Sequence, residues 1–381
     1  MRINTLQLAN YRNYESVVLS PCAGVTALVG DNAQGKTNLL EAVALCCTGR
    51  SHRTAKDAEL IRWGESRAQV EVEAERADGS HEVALTLRTK ERKQIRVNGN
   101  AVARSGELMG HLNGVLFAPE HLRMVKDGPA ERRRFIDMEL SQIRPTYYYA
   151  LQRYARALDQ RNHLLRNWIA QQELRATLPE WDEQLALSGA QIMEYRRGFI
   201  EKLSRAAREN HLEISGGAEE LDVRYKPSID EEASDAALVD ALRRALEEGL
   251  DSDLRRVTTG VGPHRDDLIL TISGMDVRVY GSQGQQRTAA LSLKLSELDV
   301  MREETGEWPV LLLDDVMSEL DPHRRRHLLG RLSQVQTLVT CTDPADLAGA
   351  EVGAAYRVSA GAIAPLPLSE LAGKKRARKK S

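Results

Sequence analysis

Three kinds of hydrophobic pattern follow one another along the chain. Up to about residue 100, short apolar stretches alternate with turn residues. Ile3 to Leu8 reads Ile-x-x-Leu-x-Leu, the polar Asn10-Tyr11-Arg12-Asn13 follows, and Val25 to Val29 is a mostly apolar run ending at Gly30. Residues 70–75 alternate as Val-Glu-Val-Glu-Ala-Glu, which predicts a half-exposed strand. Asp78-Gly79 and Asn98-Gly99 predict hairpin turns on either side of further strand. From about Glu131 to His211 Gly and Pro become sparse and apolar residues fall at helical spacing, as at Leu151, Tyr154, Ala155 and Leu158. Pro145 and Pro179 cut this region into a few antiparallel helices, too short for a long coiled coil. Strand signals return at Leu268 to Ile272, Val277 to Tyr280, Val310 to Leu313 and Thr337 to Thr340.

This order predicts an α/β fold assembled from both chain ends. Residues 1–130 and 255–365 form one domain, 131–254 a mainly helical insertion, and 366–381 a basic, disordered tail. A hydrophobic content of 42% can fill a core, whereas 4% aromatics is poor material for a single-strand binder built on stacked rings. The four cysteines have neither zinc-ligand nor disulfide spacing, and no apolar run reaches the length of a membrane span. No signal peptide is legible, and the expected location is cytoplasmic. The net charge of −2 conceals six Lys or Arg between Lys374 and Ser381, without which the body carries −8. Bulk charge therefore does not predict nucleic-acid binding; a local basic surface or the tail would have to supply it.

Gly30-Asp31-Asn32-Ala33-Gln34-Gly35-Lys36-Thr37 fits G-x-x-x-x-G-K-[ST] between an apolar strand and a helix. The glycines let backbone N–H groups cradle phosphates, Lys36 reaches the β- and γ-phosphates, and Thr37 offers its hydroxyl to Mg²⁺. Downstream, Val310 to Leu313 ends in Asp314-Asp315, at the strand end where open α/β sheets bind ligands. Asp314 is the second candidate for Mg²⁺, and Asp315 the residue that orients or activates the attacking water. Tyr280-Gly281-Ser282-Gln283-Gly284-Gln285-Gln286 precedes a helix; Ser282, Gly284 and Gln285 there form a second anion site. Ordinary helix capping is the alternative reading both of the two aspartates and of Ser282.

The order P-loop, Ser-Gln-Gly-Gln-Gln, Asp314-Asp315 and Ser318-Glu319-Leu320-Asp321 resembles the ABC-type ATPases of chromosome maintenance and DNA repair. Within that group the chain resembles the RecF family along nearly its whole length. The resemblance rests on Asn10 to Tyr14, on Pro119-Glu120 through Gly128-Pro129 to Asp137, on Gly262 to Asp267, and on Leu312 to Asp321. Asp127 departs from the family's usual glycine, which puts the local turn in question. Asp315 stands where many ABC ATPases carry a catalytic Glu; RecF-type proteins share the Asp, which is consistent with slow hydrolysis.

The resemblance implies an ABC-type ATPase head and a weak, DNA-stimulated ATPase that uses ATP and Mg²⁺. It implies an ATP-dependent homodimer in which Ser282 and Gly284 of one subunit close over the γ-phosphate held by the other. It further implies binding to gapped, single-stranded or junction DNA, and loading of RecA with RecR and RecO during repair, replication and the SOS response. Ser318 to Asp321 would contact the opposite subunit, Thr340 to Asp343 would sense the γ-phosphate, and Arg53 would reach the nucleotide, with a solvated arginine after a helix as the alternative. Arg132 to Arg134 are candidates for DNA contact, with buried pairing to acids as the alternative. Two other functions share the nucleotide motifs: an energy-coupling subunit of a membrane transporter, and a scaffold with a relic site.

Overall fold

A computed structural model describes residues 1–170, 172–229 and 235–372. The strands are β1 (Arg2–Tyr11), β2 (Tyr14–Leu19), β3 (Val25–Val29), β4 (Arg67–Arg76), β5 (Gly79–Arg88), β6 (Gln94–Val97), β7 (Asn100–Val102), β8 (Gly114–Phe117), β9 (Leu221–Lys226), β10 (Asp267–Ile272), β11 (Met275–Asp276), β12 (Val310–Leu313), β13 (Thr337–Cys341), β14 (Val352–Ser359) and β15 (Ala362–Pro365). The helices are α1 (Lys36–Thr48), α2 (Arg123–Lys126), α3 (Pro129–Ile143), α4 (Pro145–Arg166), α5 (Leu178–Ile214), α6 (Asp235–Glu248), α7 (Leu250–Arg256), α8 (Val277–Tyr280), α9 (Gln283–Thr305), α10 (Pro322–Leu332) and α11 (Leu368–Ala372).

Two compact units result, one formed by residues 1–121 with those from 294 onward, the other by 122–293. The sequence pattern set these divisions at 130/131 and 254/255. The second unit is longer than the helical pattern alone because a small sheet and the start of α9 group with the helices.

In the first unit one sheet runs β2-β1-β4-β5-β6-β7 and is antiparallel throughout. Both predicted hairpins form, although the first turns on Ala77-Asp78, with Gly79 already opening β5. Arg76 pairs with Gly79 across a two-residue connection, and Val97 pairs with Asn100 across Asn98 (φ 50°) and Gly99 (φ 76°), the geometry of a type I′ turn. The other sheet runs β15-β14-β3-β13-β12-β8, with β14, β3, β13, β12 and β8 parallel and β15 antiparallel at one edge. Every residue of β3, β8, β12 and β13 is buried, which accounts for sequences free of charge and apolar but for Thr26, Thr337 and Thr340. Helix α1 touches β4 and β5 of one sheet and β8, β12 and β13 of the other. It is therefore buried from Leu39 through Cys47 without a polar stripe, and it gives the loop before it a fixed seat.

The second unit packs α3 to α7 with the antiparallel sheet β11-β10-β9. Pro129, Pro145 and Pro179 each stand in the first turn of a helix, where a missing N–H costs nothing. The buried face of α4 is Tyr147, Ala150, Tyr154, Ala157, Arg161 and Leu164, so of the predicted stripe only Tyr154 lies fully within it, and Ala155 is exposed. This face includes a buried arginine: Arg161 donates to Asp182 at 2.6 Å and to Asp253 at 2.6 Å. Val277 to Tyr280, read as strand, is a single helical turn because the Asp276 carboxylate accepts from Arg278 N at 2.8 Å and Val279 N at 3.1 Å.

The predicted tail starts later than residue 366. Leu366 is buried and donates its N–H to Ala355 O at 2.8 Å, and α11 follows it. The cationic run from Lys374 lies outside the described residues.

Candidate functional site

The P-loop leaves β3 at Val29 and enters α1 at Lys36. Both glycines of the motif are held by close neighbours. A Cβ on Gly30 would stand 2.3 Å from Val358 O, and one on Gly35, whose φ is +116°, would stand 2.6 Å from Asn13 Nδ2. No side chain caps α1 and no acid lies in its first turn, so its leading N–H groups and positive dipole end remain for an anion. Asp31, Asn32 and Ala33 are exposed at the mouth, Gln34 is half-buried, and Gly35 and Lys36 lie below. A cleft of about 1050 Å³ opens beside the loop, bordered by Gly30, Asp31, Gln34, Asp343, Arg357 and Ser359. The Lys36 ammonium folds onto the loop, donating to Gly30 O at 2.6 Å and Asp31 O at 2.8 Å. Burial draws its pKa below the usual lysine value, opposed by Asp315, Cys341 and Asp314.

Strand β12 delivers the two aspartates to the same place. Asp314 N donates to Phe117 O at 2.9 Å, fixing the strand end, and Asp314 Oδ1 accepts from Thr37 Oγ1 at 2.9 Å and Thr340 Oγ1 at 2.9 Å. Thr340 also accepts from Asp315 N at 2.9 Å, across a backbone bend in which Asp315 takes φ 53°. Thr340 is fully buried and holds the Asp314 carboxylate and the Asp315 backbone, whereas Asp343 caps the turn at Ala345. Burial pushes the Asp314 carboxyl above the usual carboxylate range, against the hydroxyls of Thr340 and Thr37 and with the help of Glu120 and Asp315.

The donor set fits a magnesium ion. Thr37 and Asp314 offer hard oxygens, and their 2.9 Å separation matches the edge of an octahedron with ~2.1 Å bonds. The sequence reading did not anticipate the polar chain beside this site. Arg12 forms a two-pronged pair with Glu41 at 2.9 and 2.7 Å, and Ser51 donates to Glu41 at 2.5 Å. Arg53 donates to Asn38 Oδ1 at 2.9 Å, within the first turn of α1. Burial raises the Glu41 pKa, but hydrogen bonds from Arg12 and Ser51 outweigh it and hold the carboxyl below its usual range. One signal was available: Glu41 is the only charged residue in the otherwise apolar run Leu39 to Cys47.

Ser282, Gly284 and Gln285 lie in the second unit. Ser282 is exposed, its N–H donates to Gln285 Oε1 at 2.8 Å, and its Oγ accepts from Gln285 N at 3.2 Å. This is a reciprocal capping box at the start of α9. Gln285 Nε2 reaches Glu219 Oε1 at 2.8 Å, and Gly284 O accepts from Thr288 at 2.9 Å.

Residues 2–361 match the family model described as the RecF/RecN/SMC N terminal domain. The chain is 45% identical over 344 residues to the DNA replication and repair protein RecF of Alkaliphilus oremlandii, covering 90% of this chain and 93% of that protein. It is 44% identical over 372 residues to RecF of Geobacillus thermodenitrificans, covering 96% and 99%. A solved structure described as the recombination mediator protein RecF-ATP in the RecFOR pathway superposes with a TM-score of 0.89 at 38% identity, covering 96% of this chain and 97% of that one.

The chain belongs to the RecF family of DNA replication and repair proteins.

RecF family membership makes it an ATPase of the SMC and ABC class and leaves the membrane-transport alternative without support. Among the described residues no helix is long and apolar enough to cross a membrane. Two RecF-like segments prove architectural. Asp127 needs no glycine, because its φ of −88° and ψ of −174° are ordinary extended values. The Gly262 to Asp267 segment caps a buried network: Arg196 donates to Pro263 O at 2.6 Å, Asp266 Oδ2 at 2.9 Å, Asp137 Oδ1 at 2.7 Å and Tyr147 Oη at 3.1 Å. Arg132, named as a DNA-contact candidate, is instead buried and paired with Asp267 at 2.6 and 3.0 Å. Arg133 donates to Asp266 O at 2.7 Å, and Arg134 is exposed.

Proposed function

We propose that this chain is an ATP-dependent switch of recombinational DNA repair in the cytoplasm. ATP binds at Gly30 to Thr37, with Lys36 on the β- and γ-phosphates. Thr37 and Asp314 hold Mg²⁺, whose chemistry there is neutralisation of phosphate charge. Asp315 orients the attacking water, and its short carboxylate makes turnover slow. The observation that carries this reading is the meeting of Thr37, Asp314, Asp315 and Thr340 at the end of β12, directly beside a P-loop with its helix dipole uncapped.

The second half of the site comes from another copy of the chain. Ser282 is exposed and its oxygen accepts from Gln285, which leaves its own proton to donate to a phosphate oxygen. Gly284 lies at the same helix start, and Gln285, whose N–H is held by Ser282 Oγ, fixes the turn. ATP thus bridges two subunits, and hydrolysis removes the bridge. Both halves lie in the head domain of 1–130 with 255–365, to which 131–254 is a mainly helical insertion. The closed dimer binds gapped or junction DNA mainly through phosphates and acts with RecR and RecO to load RecA. Family membership supports the partners, and the superposed RecF-ATP structure supports the nucleotide.

Ser282→Arg tests the cross-subunit assignment. The variant is expected to bind ATP as a monomer with unchanged affinity and to remain monomeric in sedimentation with ATP. Normal ATP-dependent dimerisation of that variant would remove Ser282 from the interface.

A further inference from the structure

A phosphate cradle works only if its N–H groups point inward, which turns the carbonyls of the same peptides outward. Those outward carbonyls need donors, and unsatisfied ones would let the peptides flip. The β1–β2 connection supplies the side-chain donor to Gln34 O and adds one to Gly35 O, which also accepts from Asn38 N at 3.0 Å and Leu39 N at 3.3 Å in α1. Asn13 Nδ2 donates to Gln34 O at 2.9 Å, and Tyr14 Oη donates to Gly35 O at 3.0 Å. Asn13 is itself held, because its Oδ1 accepts from Asn38 Nδ2 at 2.8 Å, within the first turn of α1. The β14–β15 turn grips the same loop residue: Ala360 N donates to Gln34 Oε1 at 2.7 Å and Gly361 N to Gln34 O at 3.3 Å. Tyr14 is wholly buried, so its ring is not available to stack on a base.

We propose that Asn13 and Tyr14 are positioning residues that pre-form the P-loop, setting nucleotide affinity by holding the Gln34 and Gly35 carbonyls away from the cradle. Neither touches the ligand. Because they act on the peptides that face the phosphates nearest the ribose, their loss weakens ATP and ADP by the same factor. This rests on the reading of Gly30 to Thr37 as the ATP site.

The neighbouring strand offers an internal control. Tyr11 is as buried as Tyr14 and lies three residues away, yet its hydroxyl makes no hydrogen bond among the described residues. Titration of the full chain with fluorescent ATP and ADP analogues, alongside thermal melting, compares Tyr14→Phe with Tyr11→Phe. Tyr14→Phe is expected to weaken both nucleotides about tenfold, and Tyr11→Phe less than twofold. Asn13→Ala, at a half-exposed turn, is expected to follow Tyr14→Phe and carries the test if that variant does not fold. Equal nucleotide affinity in Tyr14→Phe, Asn13→Ala and the wild type, whatever their melting temperatures, would overturn the inference. A wild-type protein that binds neither nucleotide would instead overturn the ATP-site reading on which it rests.

Discussion

Two hydroxyl protons converge on one oxygen of Asp314, and that carboxylate is charged at a cost. Its folded pKa is raised, first by burial, so the folded state favours the protonated form. A group with a raised pKa adds stability below its unfolded value and loses it as pH rises through the folded value. Asp314→Asn is therefore expected to raise the nucleotide-free melting temperature near neutral pH, with the gain fading as pH falls below the ordinary carboxylate range. The same variant should lose Mg²⁺-dependent hydrolysis. A lower melting temperature at neutral pH would contradict the electrostatic account. Lys36 makes the complementary case: its ammonium rests on two loop carbonyls that a phosphate would replace. Lys36→Met is expected to weaken ATP binding roughly 10- to 100-fold in equilibrium titration, the value of one or two charge-assisted hydrogen bonds, and to abolish ATP-dependent dimerisation with it. Unchanged dimerisation would remove Lys36 from that role.

Among the elements, those with one dominant cause were legible. The parallel strand β12 read as an unbroken apolar run, and β3 and β13 as mostly apolar ones, because both faces are covered. The two hairpin turns read from their Gly dipeptides. Strand β9 was missed although Leu-Asp-Val-Arg-Tyr-Lys alternates, because six residues beside a long helical pattern carry little signal. The buried ionic groups were not legible at all. Arg161 and Arg196 look like solvated arginines in sequence, and only the fold reveals the acids from distant elements that pair with them. The site shows the same division. Its backbone and carboxylates follow from local motifs, while Thr340, Glu41 and Asn13 matter through contacts between residues 25 to 29 apart in the chain. Breaking the Arg196 network should be costly: Arg196→Ala is expected to destabilise the chain by roughly 3–5 kcal/mol in denaturant titration, because it strands Asp137 and Asp266. A loss below about 1 kcal/mol would show that those acids find other partners.

For the whole molecule, charge and composition exclude more than they identify, and the cationic end at Lys374 to Lys380 leaves a body with an acidic excess. The proposed function draws on two places that the chain keeps in different compact units, the phosphate cradle with its aspartates and the capped turn at Ser282. The central claim is that ATP joins these places between two copies. Sedimentation velocity with Mg-ATP, and separately with Mg-ADP, tests it most directly. The account predicts a dimer with ATP and a monomer with ADP. A monomer in both, or a dimer in both, would contradict it.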